Sequence, residues 1–186
     1  MKINSNTRLD GENITLVPYF EEHVKRYHQW MSDPEMRELT ASEELTLEEE
    51  YENQISWRED EHIMCGDVNL FFHSFLNEEE ESNKEEEHNE ANPYQTGEME
   101  VMIAEVKSRG RGVASEAIHL MMSYAHHHLR TKVFLSKIGE DNEKSRRLFA
   151  KLGYRQTAEP NYFREITMQL DYTTPTPLPP TSEYRK

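Results

Sequence analysis

Apolar residues recur along this chain at two periods, and the switches between them mark out its elements. Phe20, Val24, Tyr27 and Trp30 fall at helical spacing and predict a helix over Phe20–Met31. Ahead of it, Asn13–Tyr19 reads as a strand ended by Pro18. Asp33-Pro34 reads as a turn. Thr46-x-x-Glu49 has capping-box spacing, and Leu47, Tyr51 and Ile55, with Trp57 nearby, give a second helix its apolar stripe. Ile63–Phe72 predicts a strand with Gly66 at a bulge or turn. Glu98–Ile103 alternates charged and apolar residues and then turns fully apolar, as a strand does on becoming buried. Gly112–Leu129 is the clearest helix, with Ile118, Met121, Ala125 and Leu129 on one face beside Ala117 and Tyr124. A strand over Val133–Ile138 follows, then a helix over Asn142–Leu152 stopped by Gly153, then strands at Tyr154–Ala158 and Arg164–Asp171. This order predicts an α/β fold with a mixed sheet.

Composition adjusts that picture. The chain has 186 residues, a length for one domain with tails. Only 35% of it is hydrophobic, below the ~45–50% of a typical globular domain, so part of it stays outside a core. The net charge of −15 is concentrated in two segments: residues 43–61 are net −8 and residues 78–90 net −7, leaving the remainder neutral. Asn77–Gly97 is charged and Asn-rich and reads as a disordered acidic loop. We expect a domain over residues 1–172 that includes this loop, and a mobile tail over 173–186 with Pro175, Pro177, Pro179 and Pro180. A basic footprint for nucleic acid is missing. No apolar run approaches the ~18 residues of a membrane helix, and the start of the chain has no signal-type apolar region. With the single cysteine, Cys65, these features predict a soluble, cytoplasmic protein with no nucleic-acid or membrane partner.

Chemistry enters after the strand Glu98–Ile103. Arg109-Gly110-Arg111-Gly112-Val113-Ala114-Ser115 opens the long helix. The first amides of a helix lack internal partners and lie at the positive end of its dipole, and glycines let the backbone approach an anion closely. The arrangement suits a phosphate or pyrophosphate, to which Arg109 and Arg111 can add charge. The glycines alone are equally those of a plain turn with solvated arginines. No Gly-Lys-Ser/Thr follows for a Walker loop, and the spacing is not Gly-x-Gly-x-x-Gly.

Arg109-x-x-Gly112-x-Ala114 resembles the Gln/Arg-x-x-Gly-x-Gly/Ala motif of GNAT acetyltransferases. About thirty residues on, Asn142-Glu-Lys-Ser145-Arg-Arg-Leu-Phe149-Ala-Lys-Leu-Gly153-Tyr154 resembles the family's second helix motif. The resemblance implies a GNAT (acyl-CoA N-acyltransferase) fold, with a mixed, mostly antiparallel sheet flanked by helices. It implies transfer of acetyl from acetyl-CoA to an amine. It also implies that the amides of Gly110, Gly112, Ala114 and Ser115 hold the pyrophosphate, with Ile103, Arg109, Arg111 and Val113 around them. Asn142, Ser145 and Phe149 would lie along the pantetheine arm. Further stretches, among them Val17-Pro-Tyr, Tyr27-His-x-Trp30-Met, Gly66-Asp-Val-Asn-Leu70-Phe and Glu98-x-Glu-Val-Met-Ile-Ala-Glu105, resemble the N-acetyltransferase 9 branch, which is assigned to the N-termini of α- and β-tubulin. That implies a protein N-terminal α-amine, such as that of tubulin, as acceptor, and association with microtubules.

Two features depart from the family. Only Arg58–Cys65, mostly charged, fills the interval where a second strand belongs, so that strand is expected to be truncated. Phe149 occupies the place of a tyrosine that many GNAT enzymes use to protonate the departing thiolate. These departures favour a catalytically impaired scaffold as an alternative function. An acetyltransferase for polyamines or other small amines is a further one. By family analogy the Met102 amide is the oxyanion donor. Glu98 and Glu100 share its strand face, and either is a candidate to take the amine proton, directly or through water, against a plain solvated face. His126-His127-His128 are consecutive on a helix, about 100° apart, and cannot converge on one ion; no metal is expected. Cys65 reads as a small buried hydrophobe.

Overall fold

The computed structural model describes residues 7–40, 42–55, 65–72, 95–173, 177 and 180–183. In chain order the elements are β1 (Thr7–Asp10), β2 (Thr15–Leu16), α1 (Glu21–Met31), α2 (Pro34–Thr40), α3 (Leu47–Ile55), β3 (Gly66–Phe71), β4 (Thr96–Ile103), α4 (Val113–Leu129), β5 (Val133–Gly139), α5 (Glu143–Lys151), β6 (Arg155–Gln156), β7 (Glu165–Asp171) and β8 (Thr181–Glu183). They form a three-stranded sheet ordered β2-β1-β8 and a five-stranded sheet ordered β3-β4-β5-β7-β6. The β4–β5 pair is parallel, whereas β1–β2, β1–β8, β5–β7 and β6–β7 are antiparallel.

The chain divides into two compact units, with boundaries that fall inside β3, β4 and α4. The first comprises Met1–Val68, Val101–Met121 and Pro177–Lys186. Within it Trp30, Met31, Met36, Met102 and Ala104 form a buried cluster, with Tyr27 packed against it. Fully burying side chains of this size contributes roughly 1.5–3 kcal/mol each. Helix α1 buries His23, Val24, Trp30 and Met31, close to the predicted stripe. Its start is closed reciprocally: the His23 amide donates to the Phe20 carbonyl at 2.9 Å, and the Phe20 amide donates to His23 Nδ1 at 3.0 Å.

The second unit comprises Asn69–Glu100 and Met122–Thr176. Its centre is the long β5–β7 ladder, in register from Val133↔Asp171 to Gly139↔Glu165. Phe134, Ile138, Ile166 and Met168 are buried on it, and the Tyr172 ring meets Phe134 edge-on at 5.5 Å.

Several expectations are corrected. Asp33-Pro34 does not end in a turn: Pro34 opens α2, where its missing N–H costs nothing, and Asp33 Oδ1 accepts the Glu35 amide at 3.0 Å. The first strand shrinks to Thr15–Leu16, and β1, whose Arg8 and Asp10 hide any alternation, was not read at all. The tail is not wholly free, since Thr181–Glu183 pair with β1. Among the described side chains of α3 the buried ones are Glu50 and Gln54, whereas Leu47 is exposed; the Ile55 side chain and Trp57, also read into the apolar stripe, lie outside the described residues. Residues 77–94 of the acidic loop and the interval 56–64 of the truncated strand lie outside the described residues; Thr96 and Gly97 belong to β4. Among the described residues no helix is long and apolar enough to cross a membrane.

Candidate active site

The glycine-rich junction lies in the first unit, where β4 gives way to α4. After Ile103 a short 3-10 turn, Val106–Ser108, reverses the chain, closed by the Ser108 amide on the Glu105 carbonyl at 2.9 Å and the Arg109 amide on the Val106 carbonyl at 3.1 Å. Gly110 and Gly112 then adopt φ of +69° and +84°, a region that side chains with a Cβ avoid. A Cβ built on either glycine meets nothing within 4 Å, so the backbone here borders open space. The Glu116 amide donates to the Gly112 carbonyl at 3.0 Å and begins the helical ladder. The amides of residues 110–115 have no acceptor among the described residues. Six consecutive donors at the positive end of a 17-residue helix fit a phosphate-rich anion.

The two arginines divide their roles. Arg109 turns back under the loop: its Nε donates to the Ile103 carbonyl at 2.8 Å, and Nη2 donates to the Ala104 carbonyl at 3.1 Å and lies 3.2 Å from the Met36 sulfur. It therefore fixes the loop to the end of β4. Arg111 is exposed beside the glycines.

Two carboxylates hold this junction from either side, and neither stood out in the sequence. Glu116, in the first turn of α4, accepts the Asn13 amide at 2.9 Å and Asn13 Nδ2 at 3.1 Å. Burial raises its pKa, but the hydrogen bonds from Asn13, Glu12 and Ile14 prevail and hold the carboxyl below its ordinary value. The turn comes so close that a Cβ on Gly11 would lie 2.3 Å from Glu116 Oε1. Glu105, just past β4, accepts Trp30 Nε1 at 2.8 Å and is paired with Arg26, whose guanidinium lies over the Trp30 ring at 5.8 Å. The Trp30 hydrogen bond is the main reason its carboxyl is also held low. The only sequence signal for either was an isolated acid within an apolar or basic stretch.

Met102, the expected oxyanion donor, is buried in the first unit's core cluster. Glu98 is the last residue of β4 paired to β5, and the strand runs on to Ile103. On the other side β3 presses close, since a Cβ on Gly66 would lie 1.9 Å from the Met102 oxygen. Of the two glutamates on the Met102 face, which belong to the second unit, Glu98 is buried and paired with Lys137 Nζ at 3.0 Å, and Glu100 is exposed. The face is thus not the uniformly solvated one weighed above.

Also in the second unit, Asn142 caps α5, its Oδ1 accepting the Ser145 amide at 3.1 Å. Phe149 is buried, its ring edge-on to Tyr154 at 4.9 Å. The Tyr154 hydroxyl meets the Met122 sulfur at 3.3 Å, and burial pushes that phenol far up. His126 Nδ1 is 2.8 Å from the Thr131 carbonyl and His128 stacks near Tyr124, so the histidine run serves the end of α4. Cys65 is half-buried, and burial pushes its thiol up.

A second polar cluster of the first unit lies between α1 and α3. Glu50 on α3 has a side chain only 6% exposed, accepts no hydrogen bond among the described residues, and faces His28 Nδ1 at 4.0 Å. The Tyr19 phenol is pushed far up by burial first, then by Glu50, Tyr27, Asp67 and Tyr51. Tyr19 meets Tyr27 edge-on at 5.5 Å. The acidic segment had read as a solvated face; Glu50 was hidden among exposed neighbours.

Residues 13–155 match the acetyltransferase (GNAT) domain family. The chain is 42% identical to an N-acetyltransferase 9-like protein of Nematostella vectensis, over 92% of this chain and 89% of that protein. It is 40% identical to the alpha/beta-tubulin-N-acetyltransferase 9 of Homo sapiens, over 91% and 86%. Among solved structures, it resembles a GNAT-family acetyltransferase from Bacillus anthracis with a TM-score of 0.66 at 15% identity, covering 89% of this chain and 98% of that one. It also resembles the spermidine N-acetyltransferase of Vibrio cholerae in complex with CoA and spermine, with a TM-score of 0.61 at 14% identity, covering 91% and 98%.

Proposed function

This chain belongs to the GNAT acetyltransferase family and is an acetyl-CoA-dependent acetyltransferase, and we propose that its acceptor is the N-terminal α-amine of a protein such as tubulin. The names of the mouse, human and fly relatives, at 38–42% identity, support this acceptor. The single structural observation that supports the reading is the row of amides at residues 110–115 with no acceptor among the described residues.

In this reading the amides of Gly110, Gly112, Ala114 and Ser115 take the pyrophosphate, with Arg111 adding charge and Arg109 keeping the loop in place. Acetyl-CoA supplies the thioester whose carbonyl carbon the amine attacks. The Met102 amide donates to the developing oxyanion. Either of the two β4 carboxylates, the exposed Glu100 or Glu98 beside Lys137, takes the amine proton, directly or through water. On the second unit, Asn142, Ser145 and Phe149 are assigned to the pantetheine arm on the family resemblance alone. We place the protein in the cytoplasm, with tubulin as partner.

The test is acetyl-CoA binding by calorimetry, with Gly112→Glu as control, followed by acetylation of peptides with free and blocked α-amines. Micromolar binding lost in the variant, with acetyl incorporated only into free-amine peptides, supports the reading. A folded protein that binds no acetyl-CoA overturns it, and preferential acetylation of spermidine overturns the acceptor.

A further inference from the structure

Residues 180–183 return to the start of the chain. Strand β8 pairs antiparallel with β1 at Thr7↔Glu183, Arg8↔Ser182 and Leu9↔Thr181, and the Asp10 amide donates to the Pro180 carbonyl at 3.1 Å. Hydrogen-bonded pairs alternate along an antiparallel ladder, so the register puts Arg8↔Ser182 in the same class as Asp10↔Pro180. Thr181 and Ser182 are exposed, so apolar burial adds little to their hold, which rests on the backbone ladder. So short a ladder at a sheet edge opens at low free energy.

The strand that β8 grips leads to the glycine-rich junction. The Asp10 amide meets β8, while Asp10 Oδ1 accepts Arg8 Nε at 2.7 Å and, from β2, Thr15 Oγ1 at 3.3 Å. Gly11 comes next. Its amide donates to the Ile14 carbonyl at 2.9 Å, and a Cβ there would lie 2.3 Å from Glu116 Oε1 and 3.0 Å from Leu120 Cδ1, so the turn rests directly on α4. The amides of Glu12, Asn13 and Ile14 all donate to the Glu116 carboxylate. The Glu116 amide in turn donates to the Gly112 carbonyl at 3.0 Å, within the run whose own amides stay open. Every link from Pro180 to Gly112 lies in the first unit.

We propose that β8 is a positioning strap for acetyl-CoA: paired with β1, it holds the β1–β2 turn on Glu116, and through Glu116 it keeps the amides of residues 110–115 set for the pyrophosphate. The strap touches no substrate. It deepens the acetyl-CoA reading and rests on it. Coupling of this kind is reciprocal, so bound acetyl-CoA also tightens the strap.

The experiment uses the full chain with Ser182→Pro, which removes one ladder amide, and Ser182→Ala, which keeps it. Calorimetry should show acetyl-CoA affinity falling at least about tenfold in Ser182→Pro and unchanged in Ser182→Ala. With a free-amine peptide as acceptor, KM for acetyl-CoA should rise while kcat at saturation holds; a strand that served folding alone would lower kcat through the active fraction and leave KM fixed. In a Glu116→Gln background, Ser182→Pro should cost no further affinity, because the strap acts through that carboxylate. Unchanged affinity in Ser182→Pro, equal loss in Ser182→Ala, or additive losses with Glu116→Gln overturns the proposal. If Ser182→Pro fails to fold, hydrogen exchange of the parent decides: saturating acetyl-CoA should slow the Arg8 and Asp10 amides at least about tenfold, and unchanged rates overturn the strap. A parent that folds but binds no acetyl-CoA refutes the earlier reading. Ligand-free exchange then decides the strap: faster exchange at Asn13 and Glu116 in Ser182→Pro supports it, and unchanged exchange sinks it.

Discussion

Glu116 grips Asn13 at both its backbone amide and its side-chain Nδ2, across 103 residues of sequence. One carboxylate thereby ties the β1–β2 turn to the first turn of α4, next to the amides of residues 110–115. Because hydrogen bonding holds its pKa down, its contribution to stability is present above the unfolded value, near about 4.3, and is lost as pH falls through the lower folded value. Glu116→Gln should flatten the acid limb of a Tm-against-pH curve. Gly11→Ala, whose Cβ would collide with Glu116 Oε1, should lower Tm at neutral pH and flatten the same limb. Unchanged acid limbs in both variants would refute the tie.

Gly112→Ala separates ligand binding from folding. The methyl group meets nothing in the protein, so the stability cost is that of the left-handed backbone, roughly 1 kcal/mol. The methyl does intrude where a pyrophosphate would approach. Calorimetry should show acetyl-CoA affinity falling at least tenfold while denaturant unfolding shifts only by that roughly 1 kcal/mol. A loss of affinity no larger than the loss of stability would count against the cradle.

Arg109→Lys should reveal the positioning role. Lysine keeps the charge but cannot span the Ile103 and Ala104 carbonyls together. If Arg109 acts by fixing the loop, Lys and Ala variants lose acetyl-CoA affinity alike, and Arg111→Lys keeps it. Full affinity in Arg109→Lys would instead make the charge decisive.

Lys137→Met removes the cation paired with the buried Glu98 carboxylate, and should destabilise the protein measurably in urea unfolding, by about 1 kcal/mol. Glu98→Gln with Lys137→Met together should recover part of that loss, giving a coupling energy in the double-mutant cycle. If Glu98, rather than Glu100, were the proton acceptor, Glu100→Gln would leave kcat intact, and the pH dependence of kcat would follow Glu98.

What could be read from the sequence follows from where local pattern and tertiary demand agree. The Arg109–Ser115 run sits where strand period gives way to helix period, so a glycine-bordered helix start was legible there, while its reading as a phosphate cradle came from the family resemblance. The helix from Asn142 was legible, but that Asn142 itself caps it, accepting the Ser145 amide, came only with the structure. The contacts of Arg109 with the Ile103 and Ala104 carbonyls were not legible, because no local pattern says which way a long side chain folds. Glu50 was missed for a related reason: in a run of glutamates the one turned inward is chosen by the packing of α3 on α1, not by its neighbours in sequence. Strand β8 was missed because its partner, β1, lies at the opposite end of the chain, and a proline-rich tail carries no periodicity to announce it.

That last pairing sets Thr7 opposite Glu183. Both ends of the described chain thus enter one small sheet side by side, and the order in which the segments are synthesised is separable from the order in which they pack.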